Sequence, residues 1–332
     1  MTTLTTTTTK ALVVTAAVAL LAACGGSGGD GDKSKTGSLK LGITDAPVDH
    51  AYAVVVQFSG VELKPMGGEA FSIDFSSPKS IDLLALQGIN RTMLLDGATV
   101  PMGQYEWVRL KVNADPSNPN DSYVQLTETG QQCEMRIPSG AESGLKINRP
   151  FTVGEVADYT IDFDLRKSVV APPGQTAPST CDGANQVYML RPALRMMDNL
   201  QVGAIRGTIS TPTLQAQCVL PPGQTPPAPY PGNVYLFGPV ATSVDIIPDD
   251  YDGIENDING VDAVASAKVS PDTFTYTIAF VPPGNYEVVY TCDLDSLTLD
   301  ADASAPLEVV DLMPPGGTPV TVTVGVNSEV NF

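Results

Sequence analysis

Ser38-Leu39-Lys40-Leu41-Gly42-Ile43-Thr44 places Leu39, Leu41 and Ile43 on one side of an extended chain and Lys40 and Thr44 on the other. Alternation with a period of two is the mark of a half-buried strand, because successive side chains of a strand point to opposite faces. Working outward, residues 53–63 (Ala-Val-Val-Val-Gln-Phe-Ser-Gly-Val-Glu-Leu) form a second strand after the turn-like Asp45-Ala46-Pro47-Val48-Asp49. Residues 104–112 form a third, with Tyr105 and Trp107 on one face and Glu106 and Val108 on the other. Residues 123–127, 145–147, 159–165 and 188–194 also read as strands, and 81–86 (Ile-Asp-Leu-Leu-Ala-Leu) as a short helical turn. Further along, 203–209, 233–237, 274–280, 286–292 and the closing run 320–332 continue the pattern. Short strands separated by Pro-Gly turns predict an all-β protein of two antiparallel β-sandwiches.

Composition agrees. The chain has 332 residues, room for two domains, with 30 Gly and 28 Pro to punctuate strands. Hydrophobic residues reach 42%, enough to fill cores. Lys and Arg number 18 against 37 Asp and Glu, a net charge of −19. A chain this acidic is a poor phosphate neutraliser, so nucleic acid is not an expected partner. His50 is the only histidine, which excludes His-clustered metal sites.

The first 23 residues read as an address. Lys10 precedes a 13-residue apolar run, Ala11 to Ala23, long enough for a signal-peptide core and too short to span a bilayer. It ends in Leu21-Ala22-Ala23-Cys24, a bacterial lipobox in which the Cys24 thiol accepts a diacylglyceryl group and palmitate completes the anchor. Residues 24–37 then form a Gly-rich tether. Gly25, rather than an inner-membrane-retaining aspartate, follows the cysteine. The expected location is the outer membrane, on its periplasmic or surface face, with several acyl chains giving stable attachment. Residues 25–29 also spell Gly-x-Ser-x-Gly, but a nucleophile elbow needs a strand before it and a helix after it.

Cys133, Cys181, Cys218 and Cys292 remain, an even number that suggests disulfides in an exported protein. A boundary at residues 200–203 gives domains 38–200 and 203–332 with two cysteines each, hence Cys133–Cys181 and Cys218–Cys292. No Cys-x-x-Cys pair supports zinc instead. Charge divides unevenly: residues 203–332 hold Arg206 and Lys268 against 16 acids, a net of −14.

Several segments resemble an uncharacterised family of bacterial lipoproteins catalogued as domain of unknown function 4382. They are residues 41–49 (Leu-Gly-Ile-Thr-Asp-Ala-Pro-Val-Asp), 58–63, 81–88, 103–110 and 162–168 (Asp-Phe-Asp-Leu-Arg-Lys-Ser). The resemblance covers 38 to about 195 and implies a β-rich surface lipoprotein with no established activity. Residues 203–208 and 280–288 resemble a carboxypeptidase-regulatory or transthyretin-like sandwich. That resemblance implies a non-catalytic domain, and some relatives of that carbohydrate-binding-like fold bind sugars.

Four constellations could carry chemistry. Asp249, Asp250, Asp252, Glu255, Asp257 and Asp262 fall in one 14-residue window with a glycine, the hard-oxygen setting that Ca²⁺ needs. A solvated acidic loop is the other reading, and the EF-hand order is absent. Asp162 and Asp164 share a strand face about 7 Å apart and read first as the charged outer face of a sheet, with an acid–base pair of a hydrolase as the alternative. Asp45 and Asp49 read as turn caps, with His50 beside them. Trp107 has apolar neighbours and reads as core, with a sugar-stacking platform as the alternative. The expected function is non-catalytic binding, adhesion or scaffolding at the envelope, and no cofactor is expected apart from calcium. The alternatives are a carbohydrate-binding lipoprotein, with a glycan or an envelope protein as partner, and a hydrolase.

Overall fold

Leu39, Leu41 and Ile43 are each at most 1% exposed, and the strand that carries them, β1 (Thr36–Ala46), lies inside a sheet. The computed structural model describes residues 35–46, 51–115, 121–126, 130, 132–137, 144–170, 187–191, 193–218, 231–238, 263–292 and 313–332. After β1 come β2 (Ala53–Pro65), β3 (Phe71–Asp82), β4 (Thr92–Pro101), β5 (Gly103–Asn113), β6 (Tyr123–Gln125) and β7 (Gln132–Arg136). Then follow β8 (Leu145–Ile147), β9 (Phe151–Val153), β10 (Val156–Asp164), β11 (Val169–Val170), β12 (Val187–Leu190) and β13 (Leu194–Asp198).

One sheet has the order β13-β10-β1-β4; the other runs β11-β12-β7-β6-β2-β5-β8, with β3 added to β2 and β9 to β5. Inward residues of both sheets make one core. Phe58 of β2 meets Phe163 of β10 edge to face, with centroids 6.0 Å apart and rings at 74°, the arrangement that the ring quadrupoles favour. Tyr105 stacks on Phe151, which in turn meets Tyr159 edge-on. Their hydroxyls donate to the carbonyls of Pro101 and Thr152, so neither buried phenol is left unpaired.

The second half contains β14 (Gly203–Thr208), β15 (Asn233–Phe237), β16 (Ala265–Lys268), β17 (Thr275–Val281), β18 (Gly284–Thr291), β19 (Met313–Val322) and β20 (Asn327–Glu329). They pair as β17-β14-β20 and β16-β15-β18-β19, around a core of Ile205, Val234, Leu236, Ile278, Val288 and three tyrosines. Tyr276, Tyr286 and Tyr290 donate to the carbonyls of Val330, Pro282 and Pro231. Burial pushes all three hydroxyls above their ordinary pKa. The all-β, two-sandwich architecture is therefore present. Most pairs are antiparallel, but β1–β10, β12–β7 and β14–β20 run parallel.

None of these sheets crosses Asn199–Val202, yet Lys35–Phe332 forms one compact unit. The halves meet along the outer face of the first sheet, where β1 approaches β16 and Gly88 lies against Thr277. Thr44 and Thr160 on that face are buried, Thr44 donating to the Leu86 and Asn90 carbonyls and Thr160 bonded to Arg91 and Asn199.

Local structure departs from the sequence reading at identifiable places. Asp45 belongs to β1 and is buried, where a turn residue was expected. The 81–86 segment does hold a 3₁₀ turn, Leu83–Ala85, capped by Asp82, whose carboxylate accepts from the Leu84 and Val54 amides. The closing run is not one strand: β19 ends at Val322, a turn intervenes with Gly325 at φ 70°, and β20 pairs with the other sheet. Among the described residues no helix is long and apolar enough to cross a membrane.

Candidate functional site

The alternation of β10 sends Ala157, Tyr159, Ile161 and Phe163 into the core and Asp158, Thr160, Asp162 and Asp164 to the opposite face. The two carboxylates proposed as an acid–base pair both have structural duties there. Asp162 faces Arg195 across the β10–β13 ladder, and both Nε and Nη2 of the guanidinium donate to its Oδ2. Asp164 caps the short helix Leu165–Ser168 by accepting from the Lys167 amide at 3.3 Å. Each of the two carboxylates thus has a partner within the fold.

A denser network lies two residues upstream. Arg91, just before β4, reaches across β1 to grip Asp158 with both ends of its guanidinium, at 2.6 and 3.0 Å. It crosses over Gly42, where an added Cβ would stand 3.0 Å from Arg91 Cδ. Asn199 donates to Asp158 at 2.8 Å, and the Thr160 hydroxyl accepts from Arg91 and donates to Asn199. The Arg91 hydrogen bonds hold the Asp158 carboxyl below the usual carboxylate range and raise the guanidinium. Stability from this pair is present above the unfolded-chain pKa of about 4 and fades as pH falls through the lower folded value. Both side chains are about a quarter exposed, so the pair is worth about 1 kcal/mol. Arg91→Met should therefore cost about that much at neutral pH, and the gap to wild type should close in acid denaturation series below about pH 4. An equal gap at neutral pH and at about pH 2 would show that packing alone is lost.

Trp107 is not in the core, a correction to the sequence reading. Tyr105 and Val108 are the inward residues of β5, so the alternation breaks at Glu106. The cause is a bulge: Lys64 pairs with Trp107 but Pro65 pairs with Tyr105. Trp107 is thus half-buried on the outer face, with the Arg109 guanidinium carbon 4.9 Å and the Lys146 nitrogen 4.4 Å from its ring centroid. Arg109 also donates to Glu62 at 2.6 Å, and Lys111 pairs with Asp74 beside it. Both cations lie over the indole ring, so cation–π contacts cover part of its face and tie β5 to β8. Neither flanking cation was singled out from the sequence, because the pairing of β5 with β8 that brings Lys146 there has no local signal.

Cys218, at the end of the helix Thr211–Gln217, is disulfide-bonded to Cys292 at the end of β18, with Cα atoms 5.2 Å apart. Cys133 is also disulfide-bonded. Cys24, Asp49, His50, Cys181 and the acidic window Asp249, Asp250, Asp252, Glu255, Asp257 and Asp262 lie outside the described residues. Among the described residues no three His, Cys, Asp or Glu side chains gather as a metal site.

The described residues thus define a two-sandwich β-protein whose polar clusters are mostly internal ties. Residues 36–192 match the family described as Domain of unknown function (DUF4382). No curated protein matches the chain. Among solved structures, the Bacillus anthracis TIE protein is 9% identical over 90% of this chain and 33% of its own, at a TM-score of 0.17. A fimbrial protein from Bacteroides ovatus is 8% identical over 89% and 48%, at 0.20. BcpA, the major pilin subunit of Bacillus cereus, is 11% identical over 90% and 99%, at 0.16. The chain spans about a third and a half of the first two, and TM-scores of this size establish no common fold.

Proposed function

We propose that this chain is a non-catalytic, lipid-anchored protein of the bacterial envelope, with a binding or scaffolding role. The observation that carries the non-catalytic part is the commitment of Asp162 to Arg195 and of Asp164 to a helix cap. The lipobox Leu21-Ala22-Ala23-Cys24 supports the anchor, and the Cys218–Cys292 disulfide suits an oxidising, exported setting. The second half resembles a transthyretin-like sandwich, and that resemblance implies a non-catalytic domain. Cys24→Ser tests the anchor: the protein should leave the membrane fraction, or stay uncleaved, in cell fractionation. Normal processing and membrane recovery of that variant would refute it.

Carbohydrate binding is the second reading, and Trp107 favours it. A partly exposed indole with Arg109 and Lys146 over its ring would meet a carboxylate-bearing sugar through those cations and the part of the ring they leave uncovered. A glycan array of uronic-acid-containing oligosaccharides, probed with wild type and Trp107→Ala, decides this reading. Binding that Trp107→Ala does not weaken would place the glycan elsewhere or nowhere.

A further inference from the structure

We propose that the end of the molecule where the chain enters the fold seats directly on the lipid surface to which the chain is tethered. This rests on the anchor reading above. Single exposed apolar residues are ordinary; their collection at one place is not. Of the seven large hydrophobic residues exposed among those described, five sit on segments that backbone hydrogen bonds tie toward this end: Met66 (54%), Val156 (64%), Leu200 (66%), Val324 (41%) and Val326 (48%).

Backbone ties place them. The carbonyl of Lys35, the first described residue, accepts from the Met102 amide, and the Ser38 amide donates to Glu155, next to Val156. Gly37 packs so closely on Gly154 that a Cβ there would overlap the Gly154 carbonyl. Met66 donates its amide to Gln104, two residues from Met102. Asn199 donates to the Asp158 carbonyl, setting Leu200 at the start of β10. Gly325 donates to Val202, and Ala204 to Val326, which brings Val324 and Val326 alongside. The remaining two, Tyr52 and Ile89, belong to the other end of β1: Tyr52 leads into β2, and Ile89 sits next to Asn90, whose carbonyl accepts from Thr44.

The occupant follows from the chain itself. Only residues 25–34 separate Cys24 from Lys35, a span of at most about 40 Å even fully extended. An acylated Cys24 therefore confines this end to the membrane surface at high effective concentration, where a weak apolar contact suffices. Charge is unsuited to hold it there: without its signal peptide the chain carries a net −20, and anionic lipid repels it. Seating is consequently apolar, and on uncharged lipid it is insensitive to salt.

The test supplies the anchor chemically. The mature chain is coupled through Cys24 to maleimide lipid in phosphatidylcholine vesicles, and hydrogen exchange is compared with that of the free chain. Amides of Gln201, Ala204, Gly325 and Val326 should exchange at least about three-fold slower on vesicles, at low and high salt alike. The combined variant Leu200→Asp, Val324→Asp, Val326→Asp, with thermal stability unchanged, should lose that protection. Identical exchange on and off vesicles would overturn the proposal. So would equal protection in the free chain at high concentration with a dimer in sedimentation, which would make the patch a contact between copies. Because coupling bypasses cellular acylation, failure here is separate from failure of the Cys24→Ser fractionation test.

Discussion

Removing the second-sandwich disulfide, by Cys218→Ala with Cys292→Ala, is expected to cost about 4 kcal/mol, the chain-entropy value for a loop of this size. The bond closes a sequence separation of 74 residues and joins the end of a helix to the end of β18. Its sulfurs lie beside the Tyr290 hydroxyl, 3.1 Å from Cys218 and 2.9 Å from Cys292, inside the core. Because the constraint acts mainly on the unfolded chain, urea unfolding should show both a lower midpoint and a steeper dependence on denaturant. An unchanged midpoint would mean that the two cysteines are not bonded in the native protein.

Phe163→Ala should cost about 3–5 kcal/mol, the range for deleting a fully buried aromatic. Phe163 is fully buried and holds Phe58 of the facing sheet edge to face, so the cavity would open between the sheets. Trp107, the chain's single tryptophan, lies on the outer face of the same sandwich, so its emission reports the unfolding of that sandwich. In Phe163→Ala the fluorescence transition should shift most. In the cysteine double variant the far-UV signal should shift more than the tryptophan signal. A Phe163→Ala variant within about 1 kcal/mol of wild type would show that the sheets collapse onto the gap.

The inward alternation of Leu39, Leu41 and Ile43, and of Tyr276 and Ile278, was open to a reader of the sequence because one face is apolar and the other is not. β3 was not, since Ser76-Ser77-Pro78-Lys79 breaks the pattern and most of the strand is an exposed edge. Such edges carry Pro and Lys to discourage further pairing, which erases the strand signal. β4 was missed as well: its apolar pair Leu94 and Leu95 is consecutive, and its register with β1 shifts twice. Trp107 was misassigned because a bulge depends on the neighbouring strand, which sequence alternation cannot contain. The Arg91–Asp158 tie is likewise hidden, since 67 residues separate its partners. In hindsight Gly42 was the local signal, a glycine amid an otherwise β-branched and leucine-rich strand, kept bare by a side chain passing over it.

β1 also fixes when the molecule can fold. It is among the first residues of the body to be made, yet its parallel partner begins more than a hundred residues later, at Val156. The second half repeats the delay, as β14 is completed by β20 and by Phe332, whose amide donates to Thr208. Neither core can close until its far end has emerged, and contacts this distant in sequence form slowly. Until those last strands are available, each half therefore stays open, with β1 and β14 short of a hydrogen-bonded neighbour.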